Sequence, residues 1–119
     1  MNDIRTRNDV EKMVFTFYEK VKVDPLLAPA FEKVYWPHHL PVMYNFWSSV
    51  LLGDMSYNGS PMTKHIDLDV TTEHFDRWMK LFTENIDAQF VGPVAEEAKN
   101  RAQTIATMFQ YKMGLMDAK

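Results

Sequence analysis

The residues with the chemistry to act on a small molecule are scattered along this chain. They are Tyr18 after Phe17, His39 ahead of Phe46 and Trp47, His65 at the end of the stretch from Tyr57, and Trp78. Each is a polar or aromatic group on an otherwise apolar stretch or in a short connecting segment. Gathered round one cavity, they would supply an imidazole on one side. A tyrosine hydroxyl, a second imidazole and an indole N–H would surround the rest. That is the set of groups needed to hold a haem iron and to polarise a small ligand on it. Each also has a plainer role. A buried tyrosine or tryptophan is often a core residue whose polar atom meets a backbone carbonyl, and a lone histidine beside an isoleucine is often structural.

Helical elements must position these groups. Asn8 or Asp9 can cap a helix starting at Val10, and Val10, Met13, Val14, Phe17, Tyr18 and Val21 then recur at steps of three and four, an amphipathic stripe. Asp24-Pro25 ends it. A second helix is expected from about Trp36 to Leu52, its inner face carrying His39 or Leu40, Met43, Phe46-Trp47 and Val50-Leu51, with Gly53 closing it. His38 and His39 are adjacent and point about 100° apart on a helix, so one of them faces inward. The stripe through Met43 selects His39. Pro41 fits a helix within its first turn, so the helix should begin near Pro37 or His38, leaving His39 at a frayed end.

Residues 53–71 read as a long loop with one helical turn near Met62–Ile66. Thr71 or Thr72 caps a third helix with Phe75, Trp78, Met79, Phe82 and Ile86 on one face. Gly92-Pro93 opens a fourth, striped by Val94, Ala98, Ala102, Ile105, Phe109 and Met113. The expected fold is all-α, with residues 1–119 forming a single domain.

Composition narrows the chemistry. At 119 residues, 46% of them hydrophobic and 24% charged, the chain is long enough for one core. With 13% aromatic residues and nine methionines, it is well supplied with side chains that line irregular apolar cavities. No cysteine is present, which excludes thiolate metal sites, iron–sulfur clusters and thiol nucleophiles. A net charge of −3 without a basic cluster argues against nucleic acid as a partner. The N-terminal residues lack a following apolar stretch, and no apolar run approaches a membrane span, so no membrane partner and a cytoplasmic location are expected.

Other site patterns are missing. The sequence has no Glu-x-x-His pair, no His-Glu-x-x-His, no phosphate-binding glycine loop and no Gly-x-Ser-x-Gly. His65-Ile-Asp67 matches half of a facial iron triad, but that triad usually sits on strands, and nothing here reads as strand.

Taken in order, "VFTFYEKVKVDPLLAPAF", "HHLPVMYNFWSSVLLG", "YNGSPMTKHIDL" and "HFDRWMKLF" resemble the truncated haemoglobins of bacteria, specifically their third group, from about Val10 to Gln110. The resemblance implies a truncated globin, a two-over-two helical sandwich around haem b (iron protoporphyrin IX). It implies that His65 is the proximal iron ligand, that Tyr18 and Trp78 are distal hydrogen-bond donors, and that His39 is a distal histidine acting as a gate. Phe31 would pack at the ring edge, and Met43, Phe46, Trp47 and Phe75 along its faces. Pro41 is not expected in that helix and bears on the role of His39, which could be gate, second iron ligand or solvated.

The ligands implied are O2, NO or CO. Two donors facing a ligand that gains negative charge imply tight oxygen binding, each contributing about 1.5–3 kcal/mol. Two other functions need the same residues: a haem enzyme that oxidises nitric oxide or does peroxidase-like chemistry with an external reductase, and a globin that has lost haem and serves as an interaction or sensor module. The first shares every donor with the binder. The second is disfavoured by the joint presence of His65, Tyr18 and Trp78. A monomer is expected.

Overall fold

A computed structural model describes residues 1–55 and 70–114. The described residues form four α-helices, α1 (Arg7–Val23), α2 (Trp36–Leu52), α3 (Thr72–Asp87) and α4 (Pro93–Lys112), with a short 3₁₀ turn at Ala28–Phe31 and no strand. Helix α1 packs on α2 and on α3, α3 on α4, and α2 touches α4. The result is two helix pairs, one laid over the other. The expected turn near Met62–Ile66 and His65 itself lie outside the described residues.

Helix α1 begins three residues earlier than its apolar stripe. Thr6 is the N-cap: its hydroxyl accepts from the Asp9 N–H at 3.2 Å, while the Asp9 carboxylate accepts from the N–H groups of Arg5 and Thr6 at 2.8 and 3.1 Å. Asp9 therefore closes a reciprocal cap from inside the helix, and neither it nor Asn8 is the N-cap. Every member of the predicted stripe, Val10 to Val21, is buried.

At the other end the Asp24 carboxylate turns the chain. One oxygen accepts from the N–H groups of Leu26 and Leu27 at 3.1 and 3.0 Å, and the other takes the Arg77 guanidinium of α3 at 3.3 Å. That turn buries Leu27 and leads into Phe31.

Helix α2 runs over the span expected and ends on Gly53 in the left-handed conformation, φ 70°. It differs in one respect. Pro37 sits in the first turn, but Pro41 lies within the helix rather than in its opening turn. Proline at 41 has no N–H for the Pro37 carbonyl. Both prolines are on the exposed side, where water can meet that carbonyl. His39 is thus within a formed helix.

Helix α3 is tied to α1 by a buried amide. Asn85 donates to the Met13 carbonyl at 3.0 Å and accepts from Lys20 Nζ at 2.7 Å and Gln89 Nε2 at 3.1 Å, so its polar atoms are met inside the core. Helix α4 presents Ala95, Ala98, Ala102 and Ala106 inward, small residues that let helices approach closely. Its start is held by the N-terminal segment: Asp3 accepts from the N–H groups of Val94 and Ala95 at 2.9 and 2.8 Å. Gly92, at φ 140°, is required here, because a Cβ would meet the Asp3 carboxyl carbon at 2.5 Å.

Candidate functional site

Between the helix pairs lies an apolar cavity with a mouth open to solvent, the concave form in which small-molecule sites are usually built. Its wall is assembled from every element. Helix α1 gives Tyr18, and the turn after it gives Leu27 and Phe31. Helix α2 gives Met43, Phe46 and Trp47. Val70 and helix α3 give His74, Phe75 and Trp78. Helix α4 supplies Ile105, Ala106 and Phe109, with Met113 just beyond. The lining is overwhelmingly apolar, with large flat rings on several sides.

Ring contacts tie much of the aromatic wall to the core behind it. Phe17 meets Tyr18 at 5.0 Å between ring centroids, Trp78 edge-on at 5.4 Å and Phe82 edge-on at 5.2 Å. Trp78 stacks on Phe82 at 5.3 Å, and Trp47 stacks on the same ring at 5.1 Å. Phe75 meets Phe109 across the α3–α4 seam at 6.5 Å. Such contacts fix ring orientation beyond what apolar burial alone supplies. Tyr18 and Trp78 therefore stand at set angles on either side of Phe17.

Tyr18 is 5% exposed, yet its hydroxyl has no hydrogen-bond partner among the described residues. The Trp78 indole N–H likewise has none. Burial pushes the Tyr18 phenol well above its ordinary range, so it remains a neutral O–H donor throughout the physiological pH range. Two donor-bearing residues on an apolar cavity wall, both without an acceptor among the described residues, are free to serve something that enters it.

Of the residues the sequence singled out, Tyr18, Phe31, Met43, Phe46, Trp47, Phe75 and Trp78 come together on this wall. His39 does not line it. Its ring lies edge-on to Tyr18 at 5.3 Å and to Trp36 at 5.4 Å, so it abuts the tyrosine that does. His65 lies outside the described residues.

Four further contributors, Ile105, Phe109, Met113 and Leu27, carry no signal that separates a cavity wall from a core. The first three sit on the predicted α4 stripe. His74 is the residue whose signal was there to be read: it stands three positions after the capping Thr71 and directly before Phe75. Among the described residues no cluster of three or more His, Asp or Glu side chains could hold a metal ion, and no helix is long and apolar enough to cross a membrane.

With that geometry in place, comparison with known proteins is specific. Residues 2–114 match the bacterial-like globin family. The group 3 truncated hemoglobin ctb of Campylobacter jejuni is 36% identical over 118 residues, covering 91% of this chain and 93% of that protein. The crystal structure of the group III truncated hemoglobin from Campylobacter jejuni superposes with a TM-score of 0.85 at 34% identity, over 95% of each chain.

Proposed function

This chain belongs to the bacterial-like globin family, and from that premise we propose that it binds haem b in the cavity between its helix pairs and uses it to bind O2, NO or CO. The observation behind this reading is the Tyr18 hydroxyl: buried, neutral and without an acceptor among the described residues, on a wall otherwise made of apolar rings. The donor set and the shape of the lining fit a large flat apolar ring with a polar ligand at its centre. The haem supplies an iron with an open position for a diatomic ligand.

The chain's own residues divide the remaining work. Met43, Phe46, Trp47 and Phe75, which line the cavity, would pack against the ring, with Phe31 at its edge. His65 is assigned the proximal imidazole on the strength of its place in "MTKHIDL". Tyr18 O–H and Trp78 N–H would donate to a diatomic ligand held there, which would make its release slow. His39, edge-on to Tyr18, restrains that ring. Helix α4 adds Ile105, Ala106 and Phe109 to the apolar wall, which would limit the contact of water with a bound ligand. A slow-releasing site is ill suited to carrying oxygen. Turnover would require electrons from an external reductase.

Absorption spectra of the haem-reconstituted chain, oxidised, reduced and reduced with CO, test the reading. The expected result is stoichiometric uptake, a five-coordinate ferrous form and a Soret shift on CO, with retention sharply weakened in His65→Ala. Failure to take up haem stoichiometrically would leave a globin fold without its cofactor and overturn the proposal.

A further inference from the structure

Among the described residues, the cavity lining contains two ionisable side chains, Tyr18 and His74. They differ in depth: Tyr18 is buried, whereas His74 is half-buried in the first turn of α3, next to Phe75. His74 Nδ1 lies 3.0 Å from the Thr71 backbone nitrogen, whose N–H donates to it, and 3.0 Å from the Thr71 hydroxyl. This bond determines the tautomer. A backbone N–H can only donate, so Nδ1 must present its lone pair, and the neutral ring must carry its proton on Nε2.

Two consequences follow. While the cap is intact, Nε2 has no lone pair to offer an iron atom, so His74 is not a metal ligand. Its ring, fixed through Nδ1 on a half-buried residue of the cavity lining, carries an Nε2–H donor for which no acceptor occurs among the described residues.

A porphyrin of the haem b type has two carboxylates on one edge. Burying either against an apolar wall would cost far more than the ring gains there, so that edge must lie where polar groups and water are available. Among the described lining residues, His74 is the half-buried polar side chain that can meet this need, whereas Tyr18 is buried. We propose that His74 is a positioning residue for the cofactor, its Nε2–H donating to a carboxylate at the porphyrin edge and so setting which way round the ring enters. This rests on the haem-binding reading above. It adds a residue whose contact is with the acidic edge and not with the iron or the ligand.

The discriminating probe is haem b against its dimethyl ester, in which both carboxylates are blocked. The full-length chain is reconstituted with each, and loss to excess apomyoglobin is followed by absorbance. His74→Ala should speed loss of haem b about five- to tenfold, the size of one hydrogen bond to a charged acceptor at a partly exposed site. It should leave loss of the ester unchanged. His74→Glu keeps an acceptor for the Thr71 N–H, since glutamate is the usual residue at this position of a cap. It places a negative charge at the carboxylate, and should speed loss of haem b further while sparing the ester. Equal acceleration for both porphyrins in both variants would mean a packing role and would overturn the assignment, as would no acceleration at all. Failure of the unaltered chain to take up either porphyrin would overturn the haem reading, and this assignment with it.

Discussion

Tyr18 illustrates how much a single side chain can decide in this fold. Its ring is held by Phe17, Trp36 and His39 at centroid distances of 5.0, 5.2 and 5.3 Å, which leaves the hydroxyl little freedom, and burial keeps it protonated. An oriented neutral donor contributes without reorganising when a ligand arrives. Tyr18→Phe removes the hydroxyl and keeps the packing. We expect the oxygen dissociation rate of the reconstituted protein to rise about tenfold, equivalent to ~1.4 kcal/mol, measured by stopped-flow displacement with CO. In the unaltered protein that rate should be flat between about pH 6 and 9, because the raised phenol does not ionise there. A rate that does not change on substitution would remove Tyr18 from the ligand site.

At the scale of elements, the N-terminal segment acts as a clamp on α4, with Asp3 doing by side chain what a local N-cap would otherwise do. Partial burial pushes the Asp3 carboxyl up, but the N–H groups of Val94, Ala95 and Ile4 and the charge of Arg5 outweigh it, and the group lies below its ordinary value. A depressed carboxyl contributes stability that is present above its unfolded value, near pH 4, and is lost as pH falls through the folded one. Asp3→Ala should therefore cost about 1–2 kcal/mol at pH 7, as loss of a helix cap does, and the gap to the unaltered chain should narrow below about pH 4. Urea denaturation at both pH values measures it. The helices were largely legible in the sequence because the stripe from Val10 to Val21 repeats with the helical period and Gly53 and Gly92-Pro93 punctuate the ends. Two details were not. Thr6 precedes the stripe by four residues, so only its reciprocal bond with Asp9 marks it as the cap. Pro41 was expected in an opening turn. The helix accommodates it further in, because the carbonyl it strands is on the wet side.

For the molecule as a whole, periodicity locates an inward face but cannot tell a packed core from the wall of a cavity, and that limits what could be read. Ile105 and Phe109 fall on the same stripe as Ala98 and Ala102, yet the alanines are buried against neighbouring helices while Ile105 and Phe109 line the cavity. Aromatic and methionine content hinted at such a space, and the resemblance carried by Phe17-Tyr18 and Trp78 said where. His74 is marked in the sequence by its place three residues after Thr71, a cap position where glutamate is the usual residue. A cavity flanked by all four helices also has a thermodynamic consequence. Met43, Phe46, Trp47, Phe75 and Phe109 surround space that the protein alone does not fill, so their contacts are incomplete until a large apolar group enters. Anything that binds the folded chain and not the unfolded one stabilises it by an amount that grows with the ratio of its concentration to Kd, about 4 kcal/mol at a thousandfold excess. For a domain of this size, that is a rise in Tm of more than 10 °C. Differential scanning calorimetry of the chain with and without haem should show such a shift, together with a larger unfolding enthalpy for the loaded form. Equal transition temperatures would mean that the wall is already complete without a guest, and that the four helices do not need one to close.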